Sequence, residues 1–479
     1  MSRKKTVLGA YLLAAVVACA TSDDEPSLQG SGDRVPDAAV AAPDSGGPVD
    51  SAPPSVPSCS AAGWCVTALP DGDLTLKDIW PFETSAFAIA ESEALGVKIL
   101  EWKHATNEWT YIDDNSQNAF GLGSYAGKLW AANEKEVYYT VAPASIYHGR
   151  RASSSSPWSW EHERLEDYSH DDDPPRDPGL AQYSRGDGMS ESSGGAPVAY
   201  PALGVWGTSA DDVYAWYANA IFRRRSGDGG PPAWVAEHVL DDTDNPDDDF
   251  FVFAAGGSSP DDVWFVGGRA RYLDVATLAC PIVIHKAGDD YSRMVDTLMM
   301  DNWDHYTNIC QPKQGGLSFT HSYLDPDLGV LTRPYMNAGW VTNITSVGPG
   351  TAVGILGGMH FAYLASENGG LASANVFEGN VPRRNVPSVL NSVWVHGPDT
   401  WLSGWGLLLR TPNDPGAWSS GLGLRSEGTA HVDAAATYSI STTVLTGVPL
   451  DAPLYQVRGT SNTNIWAIGA RYALHKTTP

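Results

Sequence analysis

The sequence predicts an all-β fold, a closed ring of seven four-stranded sheets, and three observations carry that prediction. A phrase returns at intervals of about 50 residues or multiples of them, period-2 apolar runs alternate with turn residues, and the two chain ends complement each other. The phrase is Gly204-Val205-Trp206-Gly207-Thr208-Ser209-Ala210-Asp211-Asp212-Val213-Tyr214. It returns as Gly256-Gly257-Ser258-Ser259-Pro260-Asp261-Asp262-Val263-Trp264, as Val393-Trp394-Val395-His396-Gly397-Pro398-Asp399-Thr400-Trp401 and as Arg458-Gly459-Thr460-Ser461-Asn462-Thr463-Asn464-Ile465-Trp466. Self-similar units of short apolar runs and turns are the signature of a single β-propeller.

Each unit parses into strands. Leu203–Gly207 reads as a first strand, Thr208–Asp212 as a turn, Val213–Tyr217 as a second strand and Ala220–Arg225 as a third. The run from Ser226 to Ala233 is a turn that leads into Trp234 and a fourth strand. The same frame places first strands near Leu76–Trp80, Lys128–Asn133, Leu203–Gly207, Phe251–Gly256, Thr342–Gly348, Ser392–Gly397 and Tyr455–Gly459. Third strands follow at Val97–Trp102, Ser145–Arg150, Ala220–Arg225, Ile282–Lys286, Phe361–Ala365, Leu407–Thr411 and Tyr472–Lys476. The fifth copy is the most degenerate and lacks the tryptophan. Seven blades result, with six or eight as the alternatives.

The last copy stops after its third strand, whereas Trp64-Cys65-Val66-Thr67-Ala68-Leu69 precedes the first copy and opens on the tryptophan found at Trp109, Trp234 and Trp418. The N-terminal strand is therefore expected to complete the last blade, which hides the sheet edges an open array would expose. Two stretches exceed a compact blade, near 151–201 and near 298–338, and long excursions from a rigid scaffold are where specific function is grafted.

The repeated Asp211-Asp212 and Asp261-Asp262 sit where a turn ends, and a short carboxylate there accepts backbone N–H bonds, so they read as turn chemistry. The recurring aromatics of second and fourth strands read as packing between sheets. Trp158, Trp160 and Trp303, on the excursions, are the candidate stacking platforms for a sugar. Asp242, Asp244 and Asp248, within the acidic run Asp241–Asp249, have the alternate oxygen ligands of a calcium loop but lack the central glycine and closing glutamate of an EF-hand. A solvated loop is the other reading.

The chain has 479 residues and a formal charge of -26, which argues against nucleic-acid partners and against adhesion to anionic lipid. Residues 1–18 read as an export signal, with a basic start at Arg3, Lys4 and Lys5 and an apolar stretch too short to span a bilayer. Residues 19–58 are a Pro/Ser/Asp/Ala-rich tether that cannot bury enough surface to fold. The folded part is 59–479. Besides Cys19 four cysteines remain, Cys59, Cys65, Cys280 and Cys310, and an even count in an exported chain predicts two disulfides. The local pairing, Cys59 with Cys65 and Cys280 with Cys310, is favoured among three, with a zinc site as the alternative.

Val16-Val17-Ala18-Cys19 resembles the lipobox of bacterial lipoproteins, which implies lipidation of Cys19 and an address in the cell envelope as an outer-membrane lipoprotein, periplasmic or surface-exposed. Ser226, Asp228, Gly230 and Trp234, and again Thr411, Asn413 and Trp418, resemble the Asp-box of the BNR and sialidase-like propellers. That resemblance implies a fold, because the box is a folding element remote from catalysis. The arginine-isoleucine-proline segment of sialidases is not in the sequence, nor is His-Glu-x-x-His, Gly-x-Ser-x-Gly or a phosphate-cradling loop. No catalytic residues are assigned. The expected function is a non-catalytic binding or scaffold propeller, monomeric, for a glycan or protein ligand. A carbohydrate-active hydrolase or lyase and an outer-membrane assembly factor are the alternatives.

Overall fold

The computed structural model describes residues 59–119, 125–168, 202–226, 230–246, 248–273, 276–299, 309–313, 317–325, 329–358, 360–367, 370–378, 389–413, 439–441, 450 and 452–478. The signal, Cys19 and the tether lie outside the described residues. The body of the chain is seven antiparallel sheets, with one 3-10 turn, Ser116–Asn118, as the single helical element among the described residues.

Blade 1 comprises Thr75–Pro81, Ser85–Ser92, Gly96–Lys103 and Glu108–Tyr111, and blade 2 comprises Ala126–Asn133, Glu136–Val141, Ser145–Arg150 and Ser159–Arg164. Blade 3 runs Leu203–Ser209, Asp212–Tyr217, Ala220–Ser226 and Pro232–Val239. Blade 4 runs Asp249–Ser259, Asp262–Leu273, Ala276–Ala287 and Asp290–Met299, and blade 5 Val341–Gly348, Thr351–Leu356, His360–Glu367 and Gly370–Glu378. Blade 6 has Leu390–His396, Asp399–Gly404, Leu407–Pro412 and Ser439–Ser441, and blade 7 has Leu454–Ser461, Asn464–Gly469 and Tyr472–Lys476. All seven expected first strands and all seven third strands form.

The ring closes as the chain ends require. Trp64–Val66 is the fourth strand of blade 7, antiparallel to its third, with Trp64 opposite Lys476 and Val66 opposite Leu474. Thr67 extends the ladder by donating to the Ala473 carbonyl at 2.9 Å, and its hydroxyl accepts the Trp109 indole N–H from blade 1, also at 2.9 Å. Trp64 is fully buried and meets Trp401 of blade 6 edge-on at 5.9 Å. The closing segment therefore touches three blades.

Second strands are buried along most of their length, and Asp212–Tyr217, Asp399–Gly404 and Asn464–Gly469 along all of it. Each lies between two neighbouring sheets, so both faces of the strand are core, which is why the sequence there reads as an unbroken apolar run. The recurring tryptophan of the first strand fills the gap to the next blade and lands on that blade's glycine. A Cβ on Gly207 would come within 2.9 Å of Trp130, one on Gly257 within 2.9 Å of Trp206, and one on Gly459 within 2.9 Å of Trp394. The Trp-Gly pair in the phrase is thus a joint between successive blades.

The expected turn Thr208–Asp212 is shorter than the sequence predicts. The first strand continues to Ser209 through a register shift after Gly207, and Asp212 already belongs to the second strand. The same shift recurs after Ala131, Gly257, Ser346 and Gly459. A bulge at this point bends the strand and increases its twist as it leaves the centre of the ring.

The two long stretches are partly built into the scaffold. Ser159–Arg164 is the outer strand of blade 2, so that interruption begins only after Tyr168. In the second, Cys310–Pro312 adds a fifth strand to blade 4, and the hairpin Thr320–Asp325 with Gly329–Pro334 extends blade 5. That hairpin joins through a parallel pairing of Thr320 and His321 with Asn375 and Val376.

Candidate functional site

The acids of the phrase are not free. Asp211 and Asp261, the first of each pair, are exposed on the turn, whereas Asp212 and Asp262 turn inward and hold a base on the third strand. Asp212 forms an ion pair with Arg223 at 2.7 Å and accepts from Thr208 Oγ1 at 2.6 Å, while the guanidinium lies over the Tyr214 ring at 5.3 Å. Asp262 pairs with His285 at 2.7 Å, and that imidazole stacks on Trp264 at 4.0 Å. Asp399 takes a bidentate pair from Arg410, both bonds 2.8 Å, and the arginine covers Trp401.

Two further blades use other residues in the same positions. Glu136 meets His148 at 2.8 Å with His148 stacked on Tyr138 at 4.1 Å, and Asn464 meets His475 at 2.9 Å with His475 stacked on Trp466 at 4.1 Å. The hydrogen bond from His148 holds the Glu136 carboxyl below its ordinary value. Burial pushes the Asp262 carboxyl up, but bonds from His285 and Ser258 outweigh it and leave the group lowered. The sequence reading of these acids as caps of backbone N–H groups is thus incomplete. Their main partners are side chains on the third strand.

The same groups tie each blade to the next. Asp262 accepts the Gly350 N–H of blade 5 at 3.0 Å, Asp399 accepts from Asn462 of blade 7 at 2.7 Å, and Asn464 donates to the Phe82 carbonyl of blade 1 at 3.0 Å. Ser85 and Thr84 of blade 1 both donate to Glu134 of blade 2. Nearer the axis, Asp78 accepts the Leu129 N–H, Asn343 the Val393 N–H and Ser392 the Val457 N–H, at 3.0, 3.1 and 2.7 Å.

One small cavity lies between the first strands of the blades. It measures about 20 Å³ and is lined by first-strand residues of six blades, among them Asp78, Lys128, Asn343 and Arg458, with Trp80 and Trp206. That is room for little more than a single water or small ion. A sugar ring does not fit there.

The structure places the other site residues as follows. Trp158 and Trp160 are half-buried at the boundary of blades 1 and 2. Trp158 lies over the Arg151 guanidinium at 4.4 Å and meets Phe87 edge-on, and Trp160 donates its indole N–H to the Ile112 carbonyl at 3.0 Å. Beneath Trp158, Arg151 makes a buried bidentate pair with Glu101 at 2.7 and 2.8 Å. Trp303 lies outside the described residues. Cys59 is joined to Cys65 and Cys280 to Cys310.

Asp242 and Asp248 are buried with a cation between them that the chain itself supplies. Arg269, 2% exposed, reaches Asp242 at 2.6 Å, Asp248 at 3.3 Å and Asp296 at 2.7 Å, with its guanidinium over Phe250. Lys313 bonds to the other Asp242 oxygen and pairs at 3.2 Å with Asp244, whose side chain is 77% exposed. Burial would raise the Asp242 carboxyl, but hydrogen bonds from Lys313 and Arg269 hold it well below the usual carboxylate range. The oxygens read as calcium ligands are directed at these two side chains. Among the described residues no group of three or more His, Cys, Asp or Glu is placed to hold a metal ion. Likewise no described helix is long and apolar enough to cross a membrane.

No family model matches the chain, and no curated protein matches it. Solved structures similar to it include YCF48 bound to D1 peptide, at 12% identity and a TM-score of 0.44, covering 89% of this chain and 98% of that one. YCF48 from Cyanidioschyzon merolae is similar at 10% identity and a TM-score of 0.47, covering 86% and 98%. The WD40 repeats of RRP9 are similar at 10% identity and a TM-score of 0.45, covering 88% and 99%.

Proposed function

We propose that this chain is a non-catalytic binding or scaffold propeller, held at a bacterial cell envelope through Cys19 and the tether, that presents the interruption after blade 2 to a protein ligand. The observation that carries this reading is where the polar groups of the repeat go. Asp212, Asp262, Asp399, Glu136 and Asn464 are all engaged in joining strands and blades, and the cavity described between the first strands is too small for a sugar ring. What the repeat builds is a rigid platform, and rigid platforms act through what they display.

The described residues on either side of 169–201 are anchored close together. Tyr168 precedes it and gives its carbonyl to Asn219 at 3.1 Å, while Ala202 follows it and gives its carbonyl to the N–H of Ala218 at 2.8 Å. Both ends are pinned to one turn of blade 3, so the intervening chain is an insertion at a single point. A protein ligand is favoured over a glycan because two of the three candidate stacking tryptophans, Trp158 and Trp160, are occupied in blade packing.

The test is excision. In the full chain, residues 169–201 are replaced by a short Gly/Ser linker, and both proteins are photo-crosslinked in envelopes. The reading expects a specific protein adduct that disappears on excision while the thermal midpoint stays put, and a Cys19→Ala variant that leaves the membrane fraction. Equal adducts from both chains, or glycan cleavage by the purified protein, would overturn it.

A further inference from the structure

We infer that the axial cavity is a binding site for one small inorganic anion of halide size, held between Lys128 and Arg458. Both side chains line the cavity, one from the first strand of blade 2 and the other from blade 7. The Lys128 backbone is fixed by Thr140, whose hydroxyl accepts the Lys128 N–H at 3.0 Å and donates to its carbonyl at 3.2 Å. Its ammonium group makes no hydrogen bond or ion pair among the described residues. Lys128 is only partly buried, so what calls for a counter-ion is the second cation, Arg458, on the same cavity: like charges sharing one site disfavour each other, and an anion between them relieves that cost.

The single acid beside it is already committed. Asp78, 2% exposed, accepts the Ile79 N–H through Oδ1 and the Leu129 N–H through Oδ2, each at 3.0 Å. Arg458 touches it only at 3.5 Å and gives its shorter bond, 2.8 Å, to the Ile79 carbonyl, with its guanidinium over Trp80 at 4.6 Å. Two cations therefore share one carboxylate whose oxygens already serve backbone donors. Burial lowers both the Lys128 ammonium and the Arg458 guanidinium from their ordinary values. The remaining wall is apolar or amide, from Trp206, Ala254, Ile344 and Asn343. With about 20 Å³ available, a monatomic anion fits and a phosphate, sulfate or sugar acid does not.

Chloride is the probe. The thermal midpoint of the full chain is followed as sodium chloride replaces sodium gluconate at fixed ionic strength and pH 7. The wild type is expected to gain several degrees, rising with the logarithm of chloride concentration as for any ligand of the folded state. Lys128→Met is expected to lose that dependence and Lys128→Arg to keep part of it. Methionine keeps the aliphatic stem and removes a partly buried charge, so the variant is expected to fold. Crystals soaked in sodium bromide would show an anomalous peak beside Lys128 Nζ. A wild type indifferent to chloride, a Lys128→Met variant with the same chloride dependence, or a site that takes up only water from bromide would each overturn the proposal.

Discussion

Arg269→Met tests the reading of the acidic run most directly. In the wild type the guanidinium lies within 2.7 Å of Asp242 and Asp296 and 3.3 Å of Asp248, and Lys313 completes Asp242. Methionine keeps much of the volume and removes the charge, leaving three buried carboxylates with Lys313 and the half-exposed Arg293 as the nearest cations. Removing one partner of a buried ion pair costs about 3–5 kcal/mol, a large share of the ~5–15 kcal/mol that holds a typical domain. The assay is guanidinium unfolding at pH 7 and again near pH 3.5. Because Asp242 is held below the ordinary carboxylate range, its contribution is present above that range and lost as pH falls through it. The variant's carboxylates, deprived of the arginine, protonate more readily, so its deficit should shrink with acid. Millimolar calcium should leave the wild type unmoved and restore part of the variant's stability. A deficit below about 0.5 kcal/mol, within the range of an ordinary surface substitution, would refute the argument. So would a deficit independent of pH, or a wild type that calcium stabilises.

Two other consequences follow from the same geometry. Trp64→Ala removes the anchor of the closing strand, buried against Trp401, and should cost about 3–5 kcal/mol; deleting residues 59–70 should lower the thermal midpoint further, and an unchanged midpoint would mean that the ring does not depend on its N-terminal strand. His475 is buried and lies beside His104, which together lower its pKa to about 4 from an ordinary 6.5. A histidine kept neutral in the fold destabilises it as pH drops from 6.5 towards 4, by about 2–3 kcal/mol after allowing for its residual exposure, and His475→Gln should flatten that part of the pH–stability curve measured by chemical denaturation.

The blades were legible because their determinants are local. Short apolar runs and the turn after Ser209 or Ser259 act within a dozen residues, so Leu203–Tyr217 could be parsed without knowing its neighbours, whereas the tryptophan over each glycine comes from the preceding blade. The closing strand was legible for a different reason, since Trp64 repeats a fourth-strand residue with no third strand before it. The role of Asp242 was hidden, because its partners Arg269 and Lys313 are supplied by a hairpin and a disulfide-linked strand that come later in the chain. Trp158 and Trp160 read as display because they lie on a stretch that exceeds a compact blade, and nothing local shows that Ser159–Arg164 is the outer strand of blade 2 or that Arg151 and Glu101 pair underneath. The hairpin at Thr320–Pro334 could not be placed either, since its attachment to blade 5 is a parallel pairing with residues 55 positions away.

The inter-strand pairs do leave one signal in the sequence. His148, Arg223, His285, Arg410 and His475 stand at matching places on five third strands, each opposite the aromatic that follows an acid or asparagine by two residues. The pair is Asp–Arg in two blades, Asp–His in one, Glu–His in one and Asn–His in one, so no single motif captures it, yet the geometry of acceptor, base and ring is the same. A period-2 strand offers only one face to a given neighbour, and a hydrogen-bonded pair placed there is satisfied only in the native register; a slip of one residue would bury it unpaired. The repeat therefore carries a role that several residue combinations fulfil. Blade 5, whose second strand opens on Thr351 and whose first strand lacks the tryptophan, has neither the pair nor the joint, and it is the sheet to which the extra hairpin has been added. In blade 5 the added hairpin accompanies a relaxed repeat, whereas blade 4 keeps its Asp262–His285 pair and still takes a fifth strand, so the pair fixes register within a blade without barring additions at its outer edge.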